Sequence, residues 1–426
     1  MVVPFRPSRR RALAAVLALA LVTACGSPPV VTIDVEGVVR HPLVGPLAGV
    51  IVDVAGATTT TDAAGGFRVD DVPVPYDVMI ASSSPAPWVT VVQGLVDPSP
   101  TIEVDASLDL AFRAEVTGAI YGGLPLPAGT RAAVCVEGTT ARALGCTFAV
   151  AGQTEYELFV AWTGGVSVPV YLNFLWMFVD AAGLPTSIPS GLRHAATLTH
   201  GSALTFDPSL ADVFAVTSEP LAVGVTVAGG GTPFVTAVTS YVDAAHGMLV
   251  HLGYAATGAF TVAVPQVPTG GHEVFTYARF GDGESAAWGV TDDPAAGVDV
   301  AVPAPPQLLG PADGATVTPA TEFVTVGGPG TARTFTWRPV GSTEGPLVTL
   351  VTASERATMP DISAVGMDWD ADGTYRWSVT AGPHATVEEA AAEGAVGWEY
   401  IVLGGIVHGA DGCMTETGSR EVVLGP

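Results

Sequence analysis

Apolar and polar positions in this chain carry little long helical periodicity, and where a period shows it is two. In Gly66 to Asp70, Phe67 and Val69 turn one way while Arg68 and Asp70 turn the other, the pattern of a strand with one buried face. Leu158 to Val179 has no charged residue and is long enough to span a bilayer. Gly164-Gly165 and Pro169 interrupt it, and acids flank it at Glu157 and Asp180, so it reads as two strands joined through the glycines. The second of these is apolar on both faces. Val170, Leu172, Phe174, Trp176 and Phe178 form one face, and Tyr171, Leu175 and Met177 the other. Such a strand is usually covered on both sides, here by a neighbouring module or a partner. With Val and Thr to favour strands and Gly and Pro to supply turns, the expected class is all-β, built from tandem β-sandwich modules.

One apolar run differs. Ala12 to Val22 follows Arg6, Arg9, Arg10 and Arg11 and precedes small residues and Cys25. That is the architecture of a secretory signal, too short to span comfortably. Val22-Thr23-Ala24-Cys25 resembles the bacterial lipobox. The resemblance implies a lipoprotein signal peptide over 1–24, lipid on Cys25, and a tether over 25–32. The alternative is ordinary secretion with a free Cys25. Several acyl chains together anchor stably, whereas one binds reversibly. Gly26, not Asp, follows the cysteine; by resemblance to sorted lipoproteins this implies the outer membrane in a two-membrane cell. Ser8 to Leu13 also partly resembles a twin-arginine signal, with Ala12 where that family prefers Phe.

Charge narrows the partners. All 16 basic residues are Arg, against 41 acids, for a net −25. Without the four arginines before Cys25, twelve face 41 and the balance is −29. The absence of lysine removes Schiff-base chemistry and the phosphate-loop lysine. A strongly acidic surface excludes nucleic acid, which needs a basic patch.

Four modules are expected. The first, 33–110, resembles the carboxypeptidase regulatory-like domain, a transthyretin-like sandwich. The matching pieces are Gly37-Val38-Val39, Pro46-Leu47-Ala48-Gly49-Val50, Thr61-Asp62 leading to Gly65-Gly66-Phe67, and Tyr76-Asp77-Val78. In that family the domain is an accessory, so the resemblance implies no peptidase. Glycine-turned Phe-x-Val strands at Phe148 to Val150 and Phe260 to Val262 place sandwiches at 111–220 and 221–302. Val116-Thr117-Gly118-Ala119-Ile120 echoes the start of the first module, as glycine-turned β chains also do by chance. Pro303 to Pro306 marks a further boundary. Beyond it, Thr334-Phe335-Thr336-Trp337 and Thr374-Tyr375-Arg376-Trp377 resemble a fibronectin type III-like sandwich, and immunoglobulin-like domains share these cues. This fourth module, 303–426, closes on Ser419 to Leu424 and carries an insertion at about 383–418.

Candidate chemistry is sparse. His272-Glu273 lacks the second histidine of a zinc motif, and no nucleophile elbow occurs. No catalytic residue is assigned. Asp368, Asp370 and Asp372, with Gly373, resemble the start of a calcium loop, but Val379 stands at its twelfth position; the other reading is a plain turn before a strand. No other cofactor is expected. Cys135 and Cys146 lie in two strand-like runs and are expected to pair in an oxidising compartment, leaving Cys413 unpaired in the insertion. Trp88, in Ser84-Pro85-Ala86-Pro87-Trp88, is the best exposed ligand-stacking candidate, or else a lid over its own core. The resulting expectation is a non-enzymatic, lipid-anchored cell-envelope protein that binds or scaffolds. A carbohydrate-binding surface lipoprotein is the alternative, and an enzyme without a recognisable motif is the third reading.

Overall fold

The computed structural model describes residues 31–41, 45–84, 86–104, 112–138, 144–162, 165–209, 211, 213–228, 234–243, 246–255, 258–266, 272–280, 285–291, 293–341, 343–393 and 412–425. The signal segment and Cys25 lie outside them. The fold is all-β; a single α-helix, Val387–Glu393, appears among the described residues. None of their helices is long and apolar enough to cross a membrane.

The first module is two facing sheets. One pairs Thr32–His41 with Gly45–Pro46, Gly66–Pro73 and, in parallel, Thr101–Glu103. The other runs Ala57–Thr60, Ile51–Val54, Tyr76–Ser82, Trp88–Leu95. Phe67 is buried and Val69 half-buried, while Arg68 and Asp70 face out, where Arg68 pairs with Asp34, Glu36 and Asp70. Two motif glycines have a steric reason. A Cβ on Gly37 would sit 2.4 Å from the Phe67 ring, and one on Gly65, at φ +74, 2.4 Å from the Val39 carbonyl oxygen. Asp62 closes the turn between them and the strand, accepting from the N–H groups of Ala64 and Gly66 at 2.8 Å each.

The second module is one eight-stranded sheet, ordered Ala203–Thr205, Phe112–Ala119, Glu155–Trp162, Leu144–Val150, Thr130–Gly138, Ser167–Val179, Pro185–Thr199, Phe214–Ala215. It curls over a single core, because Val116, Leu158, Val134, Phe174 and Leu192 from five of its strands share one cluster. The strand Ser167–Val179 is covered on both faces from Leu172 to Met177, while Phe178 near its end, expected on a covered face, is exposed because the strand there runs out past the core of its own module. Leu172, Phe174 and Trp176 enter this core, whereas Leu175 and Met177 join a cluster with Leu221, Val223, Val262 and Val300 of the third module. The cover is therefore a neighbouring module.

The expected boundary at 220/221 falls inside a strand, Thr217–Val227, which pairs with Ala259–Gln266 and Val298–Val302. Phe214–Ala215 still pairs with Pro185–Thr199 of the second module, so the crossing comes at Val216, and Leu221, Val223 and Val225 sit in the apolar cluster that the second and third modules share. The other sheet of that module runs His246–Ala255, Phe234–Asp243, His272–Phe280, Ser285–Thr291.

The fourth module has the expected aromatic core. Trp337 and Trp377 are register partners on neighbouring strands, both fully buried, with Phe323 edge-on to them at 5.2 and 5.0 Å. Arg420–Leu424 is the closing strand, against Thr374–Ala381 and, in parallel, Ala315–Val317.

The modules are not beads on a string. Trp88–Leu95 pairs in parallel with Leu347–Thr352, and Ser285–Thr291 pairs with Gly412–Glu416, which also pairs with Thr374–Ala381. One sheet of 14 strands thus passes through the third, fourth and first modules. The end of the expected insertion, Gly412–Glu416, is part of this sheet. Cys413 lies on that strand, opposite Ala287, rather than in a loop. The helix Val387–Glu393 from the same insertion packs Val387, Ala390 and Ala391 into the core of the first module.

Candidate functional site in the second module

The residues singled out by sequence do not converge on one site. Cys25 lies outside the described residues. Cys135 and Cys146 are directly opposed on adjacent antiparallel strands, with α-carbons 4.1 Å apart, and form a disulfide as expected. Trp88 is a correction. It is only 4% exposed, held with Ala332 and Val351 of the fourth module, because parallel pairing of its strand with Leu347–Thr352 lays the ring inside the joint. It offers no face to a ligand.

Asp368, Asp370 and Asp372 form a turn. The Asp370 carbonyl accepts the Gly373 N–H at 3.0 Å, and its carboxylate accepts the Glu344 N–H at 3.0 Å. Asp372 takes a left-handed φ of 64°, and its N–H donates to the Leu424 carbonyl at 2.9 Å. The three carboxylates are not gathered: among the described residues no group of three His, Cys, Asp or Glu side chains is placed to hold a metal ion.

A cleft that sequence reasoning missed lies in the second module. Leu144–Val150 is laddered along its length to Thr130–Gly138, and Glu155–Trp162 along its length to Phe112–Ala119. Between these two strands the ladder holds at Leu144 and Ala161 alone. The strands still touch at Gly145, where a Cβ would lie 3.0 Å from the Phe159 carbonyl oxygen, and from Thr147 the sheet parts toward the 151–154 turn. Gln153 shapes that turn, its side chain accepting the Val150 N–H at 2.7 Å. A cleft of about 670 Å³ opens there, lined by Thr117, Thr147, Phe148, Glu155, Glu157 and Asp207 among others. The disulfide fastens Leu144–Val150 to its other neighbour, away from the parting.

The wall at Thr205 and Asp207 is a strap that continues the edge strand Ala203–Thr205, paired in parallel alongside Phe112–Ala119. Its close approach depends on Gly118, where a Cβ would fall 1.9 Å from the Phe206 carbonyl oxygen. Beyond its ladder, the Phe206 N–H donates to the Thr117 carbonyl at 2.8 Å, Tyr156 Oη donates to the Phe206 carbonyl at 2.8 Å, and the Ala119 N–H donates to Asp207 Oδ1 at 2.7 Å. Burial, reinforced by the negative Asp207, pushes the Tyr156 hydroxyl well above the usual phenol range, so it stays a donor.

Three carboxylates, threonine hydroxyls and the Gln153 amide line the cleft, and no basic side chain does. Its chemistry is acceptor-rich and repels anions. Beside it, Phe159 is 70% exposed. It stands two residues beyond Glu157 on the same outward face of the strand, opposite Glu115.

No protein-family model and no curated protein matches the sequence. Among solved structures, the chain is similar to the Bacillus anthracis TIE protein at 12% identity, over 61% of this chain and 45% of that one, with a TM-score of 0.18. The chain thus spans under half the length of that protein. It is similar to BcpA, the major pilin subunit of Bacillus cereus, at 10% identity over 64% and 99% of the two chains, TM-score 0.14. It is also similar to SGBP-B of the Bacteroides ovatus mixed-linkage glucan utilization locus, in complex with a mixed-linkage heptasaccharide, at 10% identity over 79% and 82%, TM-score 0.14. Likenesses this slight carry no argument about function.

Proposed function

We propose that this chain is a non-enzymatic, lipid-anchored cell-envelope protein that holds a binding surface on a rigid scaffold. The lipobox-like Val22 to Cys25 supports the anchor, with the outer membrane as the site in a two-membrane cell. The observation that carries the scaffold role is the sheet continuous through the third, fourth and first modules, since backbone ladders between modules suppress the relative motion that linkers allow. The experiment is fatty-acid labelling of the expressed protein with fractionation of the cells. Label and membrane retention in the wild type are expected, with Cys25→Ala unlabelled and either uncleaved or released. A wild type that carries no label and is released would leave plain secretion and sink the anchor.

A carbohydrate-binding role is the second reading. The cleft and Phe159 favour it, in place of the buried Trp88. Both are surface features built from acceptors and an aromatic face, the groups that suit hydroxyl-rich rings with apolar faces.

A further inference from the structure

Resting on that second reading, we propose that the cleft and the Phe159 ring form one continuous site for a neutral glycan chain, with a sugar ring stacked on Phe159 and its neighbours donating hydroxyls to Glu157, Glu155 and Asp207. The alignment comes from one strand. Glu155, Glu157 and Phe159 share its outward face, so at ~3.3 Å per residue the row extends ~13 Å, the reach of a short oligosaccharide rather than of a single ring.

Each part of the row selects. An aromatic as exposed as Phe159 in the middle of a strand, flanked by carboxylates, has no neighbour of its own to cover it. The Phe face is electron-rich and takes the C–H face of a pyranose. Carboxylates are acceptor-only when ionised and form stronger hydrogen bonds than neutral acceptors, so a ligand that presents many O–H donors is matched. The same carboxylates, within a chain of net −25, disfavour uronic acids and sulfated sugars. The strap that carries Asp207 is held by Gly118 and Tyr156, so the cleft wall exists before ligand arrives.

The test is calorimetric titration of the detergent-solubilised full-length protein. The probes are cellohexaose, xylohexaose and mannohexaose, with hexagalacturonate as the charged counterpart. At least one neutral hexasaccharide is expected to bind, with hexagalacturonate silent. Phe159→Ala is expected to weaken binding at least tenfold and Glu157→Gln about fivefold. Phe214→Ala, at another exposed aromatic, is expected to change nothing. Both Phe159 and Glu157 are exposed, so their variants keep the fold. Neutral-glycan binding undiminished in Phe159→Ala and Glu157→Gln overturns this site while leaving the carbohydrate reading in place. Binding of none of the neutral sugars overturns both, and binding of hexagalacturonate as tight as the neutral sugars overturns the assignment of ligand class.

Discussion

Gly118 is the residue on which the cleft turns. With the Phe206 carbonyl oxygen 1.9 Å from where a Cβ would stand, Gly118→Ala cannot be absorbed by a side-chain rotation; the backbone of the strap must lift. The expected cost is ~1–3 kcal/mol, read as a lower urea midpoint. Lifting also separates Tyr156 from Phe206, so the Tyr156 hydroxyl in the variant titrates closer to an ordinary phenol, which absorbance at 295 nm detects. An unchanged titration would place the strap's hold elsewhere. Tyr76 and Tyr156 make a second residue-level prediction. Both hydroxyls are raised, chiefly by burial and then by Asp97 and Glu388 for Tyr76 and by Asp207 for Tyr156. The folded state therefore holds these protons more tightly than the unfolded one. Their contribution to stability is complete below ~10, the unfolded phenol value, and is lost as pH rises through the folded values. The urea midpoint is expected to fall steadily above about pH 10. A midpoint flat from pH 9 to 12 would contradict the burial of both rings.

Among the elements, the strand Trp88–Leu95 explains why one site residue was misplaced. Ser84-Pro85-Ala86-Pro87 reads as a loop, and a tryptophan that follows a loop reads as exposed. Yet Trp88-Val89-Thr90-Val91-Val92 is apolar on both faces, the same signal that correctly identified Ser167–Val179 as covered on both sides. Trp88 and Val92 fill the core of the first module, while Val89 and Val91 fill that of the fourth. Trp88→Ala is expected to cost ~3–5 kcal/mol, the range for emptying a buried aromatic site, and to leave glycan binding at the second module unchanged where the variant folds. A loss under ~1 kcal/mol in denaturant melts would show the ring is not enclosed. The helix Val387–Glu393 was legible only in part. Thr386 caps it, accepting the Glu389 N–H at 3.2 Å, and Glu389 reaches back to the Ala385 N–H at 2.7 Å, so Thr-x-x-Glu ahead of Ala390-Ala391 is a start signal. Seven residues are too few for periodicity to stand out, and its stability comes from the first module: Val387, Ala390 and Ala391 are buried there, Glu388 accepts the Val96 N–H at 3.0 Å, and the Arg40 guanidinium donates to the Ala392 carbonyl at 3.1 Å.

At the scale of the whole molecule, strand content, the two-faced strand, the Trp337–Trp377 core and the Cys135–Cys146 pair were readable because side-chain type and spacing specify them. The joints between modules were not. They are made by backbone N–H and C=O groups, which every residue carries, between segments hundreds of positions apart. The cleft escaped for a related reason: Leu144–Val150 and Glu155–Trp162 read as an ordinary hairpin, and nothing in their residue types says that the ladder stops at its first pair. The joints carry a consequence for truncation. The fourth module contributes both Leu347–Thr352, which covers the edge of Trp88–Leu95, and Gly412–Glu416, which covers the edge of Ser285–Thr291. It also supplies the Ala332, Val351 and Ala390 contacts to the core of the first module. Removing residues 303–426 therefore bares two apolar strand edges and opens a core, and unpaired edges of that kind recruit other chains. The fragment 33–302 is expected to aggregate or to elute as large oligomers, although each of its modules was delimited as if it were independent. The intact chain is expected to melt in one calorimetric transition, because unfolding the fourth module strips its neighbours of their edges. A soluble monomeric fragment 33–302 that melts at the temperature of the full chain would show that the modules stand alone and that the continuous sheet adds nothing to their stability.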